Sequence, residues 1–370
     1  MSKKEAPNYK MEPKLHKTFY IPSLNGIRAL AFILVYLSHV GLGHIIPGGF
    51  GVTVFFFLSG YLITTLLRME YEKTSSISLK HFYLRRTYRI FPPMYITLFV
   101  GVLFSIVGLS SKEFDTAGLI AQMLHFTNYY LILVGSDGLV PSTSIYWSLA
   151  IEEHFYLVFP LALLSLIKGR SYQSIAAVLT CLCVLVLVWR CILVMVFDVG
   201  HDYIYHASDT RLDSLIFGCI LGLWGNPMLE KNSFLDQQGS TLKMSLIILT
   251  CCGAILFCFL FRNEVFRETF RYSIQGIALF PLFYYAIKQS HWKIFSILEY
   301  APIKWIGILS YTLYLSHLLA LSLAGSILWD NPSPILKACI AFLIALLFSV
   351  VMYKFVEKPF ARLRKRLHDS

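Results

Sequence analysis

Charge is scarce in this sequence. Only 14% of its 370 residues are Asp, Glu, Lys or Arg, against about a quarter in an ordinary soluble domain. That scarcity excludes a soluble globular protein of usual composition. Cysteine is absent from the polar stretches. All eight cysteines, at 181, 183, 191, 219, 251, 252, 258 and 339, fall within apolar segments and none has metal-ligand spacing. They read as small buried apolar residues, and no bound metal is expected. There is no fixed-period repeat and no long low-complexity linker, which argues against a solenoid or a string of domains.

What the chain has instead is apolar length. It is 56% hydrophobic with a mean hydropathy of +0.63, and its apolar residues fall in runs long enough to span a bilayer as helices. Clear runs cover residues 24–42, 50–67, 90–109, 145–167, 175–197, 242–261, 272–287, 305–327 and 335–355, with a shorter one at 212–224. The first follows a tail of some twenty residues and lacks a small-residue cleavage site, so it reads as a span and not a removed signal. The expected fold is all-α and polytopic, with about ten transmembrane helices. Residues 119–134, interrupted by His125, Thr127 and Asn128, are expected to be re-entrant or interfacial.

The net charge of +11 sits in short loops and tails beside the apolar runs. This is the pattern of membrane topology, and nucleic acid is excluded as a partner. Lys3, Lys4, Lys10, Lys14 and Lys17 place the N-terminal tail in the cytoplasm, as do the basic stretch from Arg68 to Arg89 and the basic C-terminal end. The organisation expected is one membrane domain, residues 21–358, between cytoplasmic tails at 1–20 and 359–370.

Ionisable residues inside apolar runs are costly in lipid and are by default candidate functional groups. Arg28 and His39 lie 11 residues apart, about 20° from three full helical turns, so they share one face roughly 16–17 Å apart. Each has a bland alternative: Arg28 snorkelling to the interface, His39 bonding a neighbouring helix. In "SIYWSLAIEEHFYLVFP", Glu152 shares a face with Ser148 and stands beside Glu153. A His39–Glu152 pair is geometrically possible, and a structural ion pair with Arg190 or Arg211 is the alternative. Arg211 and Asp213 stand at the end of another run. Tyr314 and His317, three apart, are either hydrogen-bonding core or direct participants. Arg86 and Arg89 stand at a membrane boundary, where guanidinium forks suit phosphate; topogenic charge is the other reading. A transporter of a polar solute or lipid-linked saccharide accounts for intramembrane charge equally well.

In order along the chain, "LNGIRAL…LSH", "GGFGVTVFFFLSGYLI", "FYLRRTYRIFPPMY", "YWSLAIEEHFYLVFP", "RLDSLIFG", "LSYTLYLSH" and "EKPF" together resemble the acyltransferase-3 family of integral membrane acyltransferases. The resemblance covers nearly the whole chain. It implies transfer of an acyl group, commonly acetyl, from acyl-CoA to a hydroxyl, commonly of a surface glycan or glycolipid, in a bacterial inner membrane. It places His39, Glu152 and Arg28 in catalysis and Arg86 with Arg89 at acetyl-CoA. Ser148, Glu153, Arg211 and Asp213 fall to the acceptor, with no permanently bound cofactor. Thr53, Asn25 and His154 depart from the usual acidic or amide residue, aspartate and glutamine, which bears on acceptor choice. Many glycan-modifying members carry a fused extracytoplasmic domain; here that relay is expected to be absent or supplied by a separate protein.

Overall fold

The computed structural model describes residues 21–109, 113–231, 233, 235, 240–328 and 333–369, with side chains to residue 364. The tail 1–20 and its five lysines lie outside the described residues. The helices run in the order α1 (Pro22–Leu37), α2 (Gly48–Thr74), α3 (Leu79–Ile106), α4 (Thr116–Met123), α5 (Thr127–Leu133), α6 (Tyr146–Ile167), α7 (Tyr172–Met195) and α8 (His201–His206). They continue with α9 (Ser208–Leu223), α10 (Thr241–Leu260), α11 (Glu264–Glu268), α12 (Phe270–Lys288), α13 (Lys293–Ser296), α14 (Ala301–Ile327), α15 (Pro334–Met352) and α16 (Lys358–Asp369). Among the described residues there is no strand. With lipid outside, a helix satisfies its own backbone, which is why apolar runs of this length fold this way.

Among the described residues, eight helices are long and apolar enough to cross a membrane: α1 with its final turn, α2, α3, α6, α7, α10, α14, and α15 continuing into α16. The chain is an integral membrane protein. The two spans that an expectation of ten adds are α9 and α12. At 16 residues, α9 is about 24 Å long, while α12 carries Arg271, Ser273 and Gln275 in its first half. Residues 119–134 form no single helix. His125, at φ 61°, breaks them into α4 and α5, roughly 12 and 10 Å long.

The apolar surface is shared unevenly. The most apolar stretch of α2 is 72% buried and that of α10 only 11%, so α2 is central and α10 turns its leucines outward to lipid. At the centre α2 crosses α9 with backbones in contact. A side-chain carbon on Gly60 would overlap the carbonyl of Leu215, and one on Gly218 the carbonyl of Phe57. Small residues at such crossings let membrane helices approach without hydrophobic drive.

One expectation from proline is corrected. From the sequence, Pro92 and Pro93 in "FYLRRTYRIFPPMY" mark a helix start, which leaves Arg86 and Arg89 in the basic loop ahead of it. Instead α3 is continuous through both prolines. The nearby carbonyls of Ile90 and Met94 accept hydrogen bonds from Tyr311 (2.8 Å) and Tyr146 (3.2 Å), which tie this stretch of α3 to α14 and α6. Arg86 and Arg89 therefore project from a helix into the bundle.

Candidate active site

The two ends of α1 carry different chemistry. At its C-terminal end the helix widens into a π-turn over Ser38–Leu42, closed by Gly41 at φ 102°, a conformation that glycine adopts without steric cost. Ser38 Oγ donates to the Val35 carbonyl at 2.7 Å, and a side chain on Gly48 would strike that hydroxyl. The glycines at the start of α2 thus let it close against this turn. The turn holds His39 exposed at a cavity of about 310 Å³. Trp147, Tyr205, His206 and Tyr314 share the lining with it, and among the described residues no Asp, Glu, Lys or Arg side chain contributes.

The aromatic wall is locked together. Tyr205 and His206 lie 4.8 and 4.9 Å from the Trp147 ring. Asn128 Nδ2 from α5 donates to the His206 carbonyl at 3.2 Å, so the broken 119–134 segment braces this wall. Burial holds the His206 imidazole below its usual range. His39 Nδ1 lies 2.9 Å from the Val35 carbonyl and 3.2 Å from Nε2 of His317, a fully buried residue on α14.

Eleven residues away, toward the helix N-terminus, Arg28 is within electrostatic range of Arg86 and Arg89 on α3 and of Glu152 and Tyr156 on α6. Arg86 lies 5.2 Å over the Tyr156 ring. No hydrogen bond or ion pair holds Arg28, Arg86 or Arg89 among the described residues, whereas Arg85 pairs with Glu70 at 2.8 Å. Like guanidiniums without a bonded anion are costly in a low-dielectric setting. Such a cluster invites a multiply charged anionic ligand. The C-terminal helix adds to it: α16 packs on α3 through Phe360 and Tyr88, 5.9 Å apart, and Arg364 is in range of Arg85, Arg86 and Arg89.

The geometry separates His39 from Glu152. The carboxylate accepts from Ser59 Oγ at 3.0 Å and Tyr156 Oη at 2.8 Å, on the arginine side. His39 is bonded to Val35 and His317 instead. Sharing a face with Ser148 does not place Glu152 at the same depth. Ser148 lies one turn nearer the cavity and bonds Tyr314 Oη at 2.7 Å.

Asp213 and Arg211 are not in the cavity lining either. Asp213 is fully buried, 2.7 Å from Arg190. Arg211 is enclosed by Tyr272 at 4.2 Å and Tyr205 at 5.2 Å, and donates to Thr53 at 3.1 Å. The expected partner of Arg190 or Arg211 was a glutamate of α6; Asp213 is the partner found. Glu153 keeps one buried oxygen without a hydrogen bond.

Sequence reading singled out neither the His39–His317 contact nor Arg364. A histidine on the same face as Tyr314 was a signal for the first. Nothing local marked the second, because Arg364 reaches the cluster through the packing of α16, the continuation of α15, on α3.

A family model described as an acyltransferase domain matches residues 21–354. The chain is 30% identical over 354 residues to the peptidoglycan O-acetyltransferase OatA of Listeria monocytogenes, covering 92% of this chain and 56% of that protein. It is 28% identical over 363 residues to the O-acetyltransferase OatA of Staphylococcus aureus, covering 96% of this chain and 59% of that one. The chain therefore spans less than two thirds of the length of these relatives. No solved structure matches it. The matched residues carry His39, the three clustered arginines and every helix that positions them, and the chain belongs to the acyltransferase-3 family.

Proposed function

We propose that this protein transfers an acyl group, most naturally acetyl, from acyl-CoA to a hydroxyl of a cell-surface glycan or its lipid-linked precursor. The observation that carries this reading is the division of labour along α1. Three guanidiniums without a bonded anion gather at one end, and an imidazole opens on an aromatic cavity at the other.

Coenzyme A presents phosphates that suit the arginine cluster, bidentate and charge-assisted. Its pantetheine arm is long enough to carry a thioester along α1 toward His39. Ser148 stands on that route, one turn from Glu152 and bonded to the cavity-lining Tyr314. The wall of Trp147, Tyr205 and His206, whose rings meet tilted or edge-on, suits the apolar face of a sugar ring. The relatives named as O-acetyltransferases, one of them of peptidoglycan, favour a glycan acceptor.

In the reaction, His39 takes the proton of the acceptor hydroxyl as its oxygen attacks the thioester carbonyl carbon. The C–O bond forms, the C–S bond breaks, and the proton passes to the departing sulfur, giving an ester and the free thiol of coenzyme A. Arg28, Arg86 and Arg89 hold the donor, and Glu152 balances their charge without touching the reacting atoms.

The arginine end faces the cytoplasm in this reading. Lys168 and Arg170, at the far end of α6 from the cavity, lie on the same side as the cluster, in line with the positive-inside rule. The termini are then cytoplasmic and the membrane is the bacterial inner membrane.

The test is transfer of radiolabel from acetyl-CoA to a soluble glycan fragment by the protein in nanodiscs. Label in the glycan, abolished by His39→Ala, is expected. Failure of the intact protein to bind acetyl-CoA overturns the proposal.

A further inference from the structure

We infer that His317 is a positioning residue that fixes the tautomer of His39 and thereby leaves Nε2 of His39 as the basic nitrogen facing the acceptor. The inference rests on the reading of His39 as general base and deepens it. It starts from which hydrogen-bonding groups can only accept.

His317 Nδ1 lies 2.7 Å from the Tyr314 carbonyl oxygen. A carbonyl has no proton to give, so Nδ1 of His317 carries one and donates. A neutral imidazole protonated at Nδ1 has its lone pair at Nε2. That Nε2 is 3.2 Å from His39 Nδ1, so His39 Nδ1 must supply the proton between the rings. The Val35 carbonyl, 2.9 Å from the same nitrogen, accepts too, but that oxygen is already engaged by Ser38 Oγ at 2.7 Å, so the His317 lone pair is the acceptor that decides the tautomer. It requires Nδ1–H on His39, and the lone pair is left on Nε2. Adding a proton to His317 would set its Nε2–H against the Nδ1–H of His39, so the pair is self-consistent with both rings neutral.

The surroundings hold this arrangement. His317 is fully buried, and its ring is wedged edge-on between Phe32 and Tyr36, with centroids 6.0 and 6.2 Å away. Tyr314 supplies the fixing carbonyl and also lines the cavity. The titratable groups sharing that cavity with His39 are Tyr205, His206 and Tyr314, and among the described residues no carboxylate or ammonium faces it. His317 thus occupies the place that a buried carboxylate takes behind the histidine of a serine hydrolase, with a neutral acceptor in place of an anion. When His39 gains the hydroxyl proton at Nε2, its Nδ1–H bond to His317 strengthens. The proton on Nε2 remains on the cavity side for return to the thiolate.

The test compares His39→Ala, His317→Leu and His317→Gln in nanodiscs, each first shown to be folded by thermal melting. Leucine fills the space but cannot accept; glutamine can still accept from His39 Nδ1–H. His317→Leu is expected to lower kcat about 10²–10⁴-fold, the contribution of a positioned general base, with the KM for acetyl-CoA unchanged. His317→Gln is expected to recover at least tenfold of that loss. ¹⁵N spectra of histidine-labelled protein should assign Nδ1–H to His39 in the unaltered chain and in His317→Gln, and a shift toward Nε2–H in His317→Leu. A folded His317→Leu with unaltered kcat, beside an inactive His39→Ala, overturns the inference and leaves the base assignment standing. Equal losses in His317→Leu and His317→Gln with unchanged ¹⁵N spectra also overturn it and reduce His317 to packing. Full turnover in His39→Ala removes the base assignment and the inference together.

Discussion

Removing the Asp213 carboxylate asks whether this residue supports the fold or touches the acceptor. Arg190 on α7 and Asp213 on α9 have no side-chain exposure and lie 2.7 Å apart. Arg190 spends its other donors on Ser273 Oγ at 2.7 Å and on the carbonyls of Thr210 and Thr269 at 2.6 and 3.1 Å. Asp213→Ala therefore strands a cation that has neutral acceptors but no counter-charge. Breaking a buried pair from one side costs about 3–5 kcal/mol. Asp213→Asn keeps an acceptor in place and should lose less. Replacing both partners, Arg190→Met with Asp213→Leu, removes the charges together and should be neutral or stabilising by about 1–4 kcal/mol. Reversible denaturant unfolding in micelles, read by tryptophan fluorescence, measures all four chains, and the single variants Arg190→Met and Asp213→Leu complete the cycle that yields the coupling energy. An Asp213→Ala chain that loses under about 1 kcal/mol, well below the cost of a stranded charge, while its KM for the glycan rises would refute the structural role and return Asp213 to the acceptor site.

Four further outcomes are expected. Gly60→Val should abolish recovery of a monodisperse protein by size exclusion, because the added side chain meets the Leu215 backbone and not a movable side chain; normal recovery contradicts the close α2–α9 crossing. Alanine at Arg86 or Arg89 should weaken acetyl-CoA binding about 10–100-fold, from about 1.5–3 kcal/mol per charge-assisted bond, and flatten its salt dependence in titration calorimetry. Arg364→Ala should do the same more mildly, and an unchanged Kd would detach α16 from the donor site. Trp147→Ala should raise the KM for the glycan and leave acetyl-CoA affinity untouched, since the ring lies on the cavity at the far end of α1.

Much of the architecture was legible because apolar length is a local property. Runs such as 24–42 and 305–327 correspond to α1 with its turn and to α14. The separation of Arg28 from His39 followed from helical spacing alone. Legibility failed where the deciding partner was distant in sequence. Glu152 shares a face with Ser148, but depth in a bundle depends on which helix packs opposite, and Ser59 and Tyr156 are what meet its oxygens. His317 lies 278 residues from His39, so no local pattern linked them. The prolines of α3 misled because proline favours the first turn of a helix over its interior; here the helix runs through both.

A density map of the protein with a non-transferable thioether analogue of acetyl-CoA tests the arrangement most directly. Phosphate oxygens within hydrogen-bond distance of Arg28, Arg86 and Arg89, with the acyl carbon beside Nε2 of His39, are the expected result. An analogue bound with its acyl end away from His39, or with its phosphates on the Arg262–Arg271 turn at the histidine end, contradicts a donor path along α1.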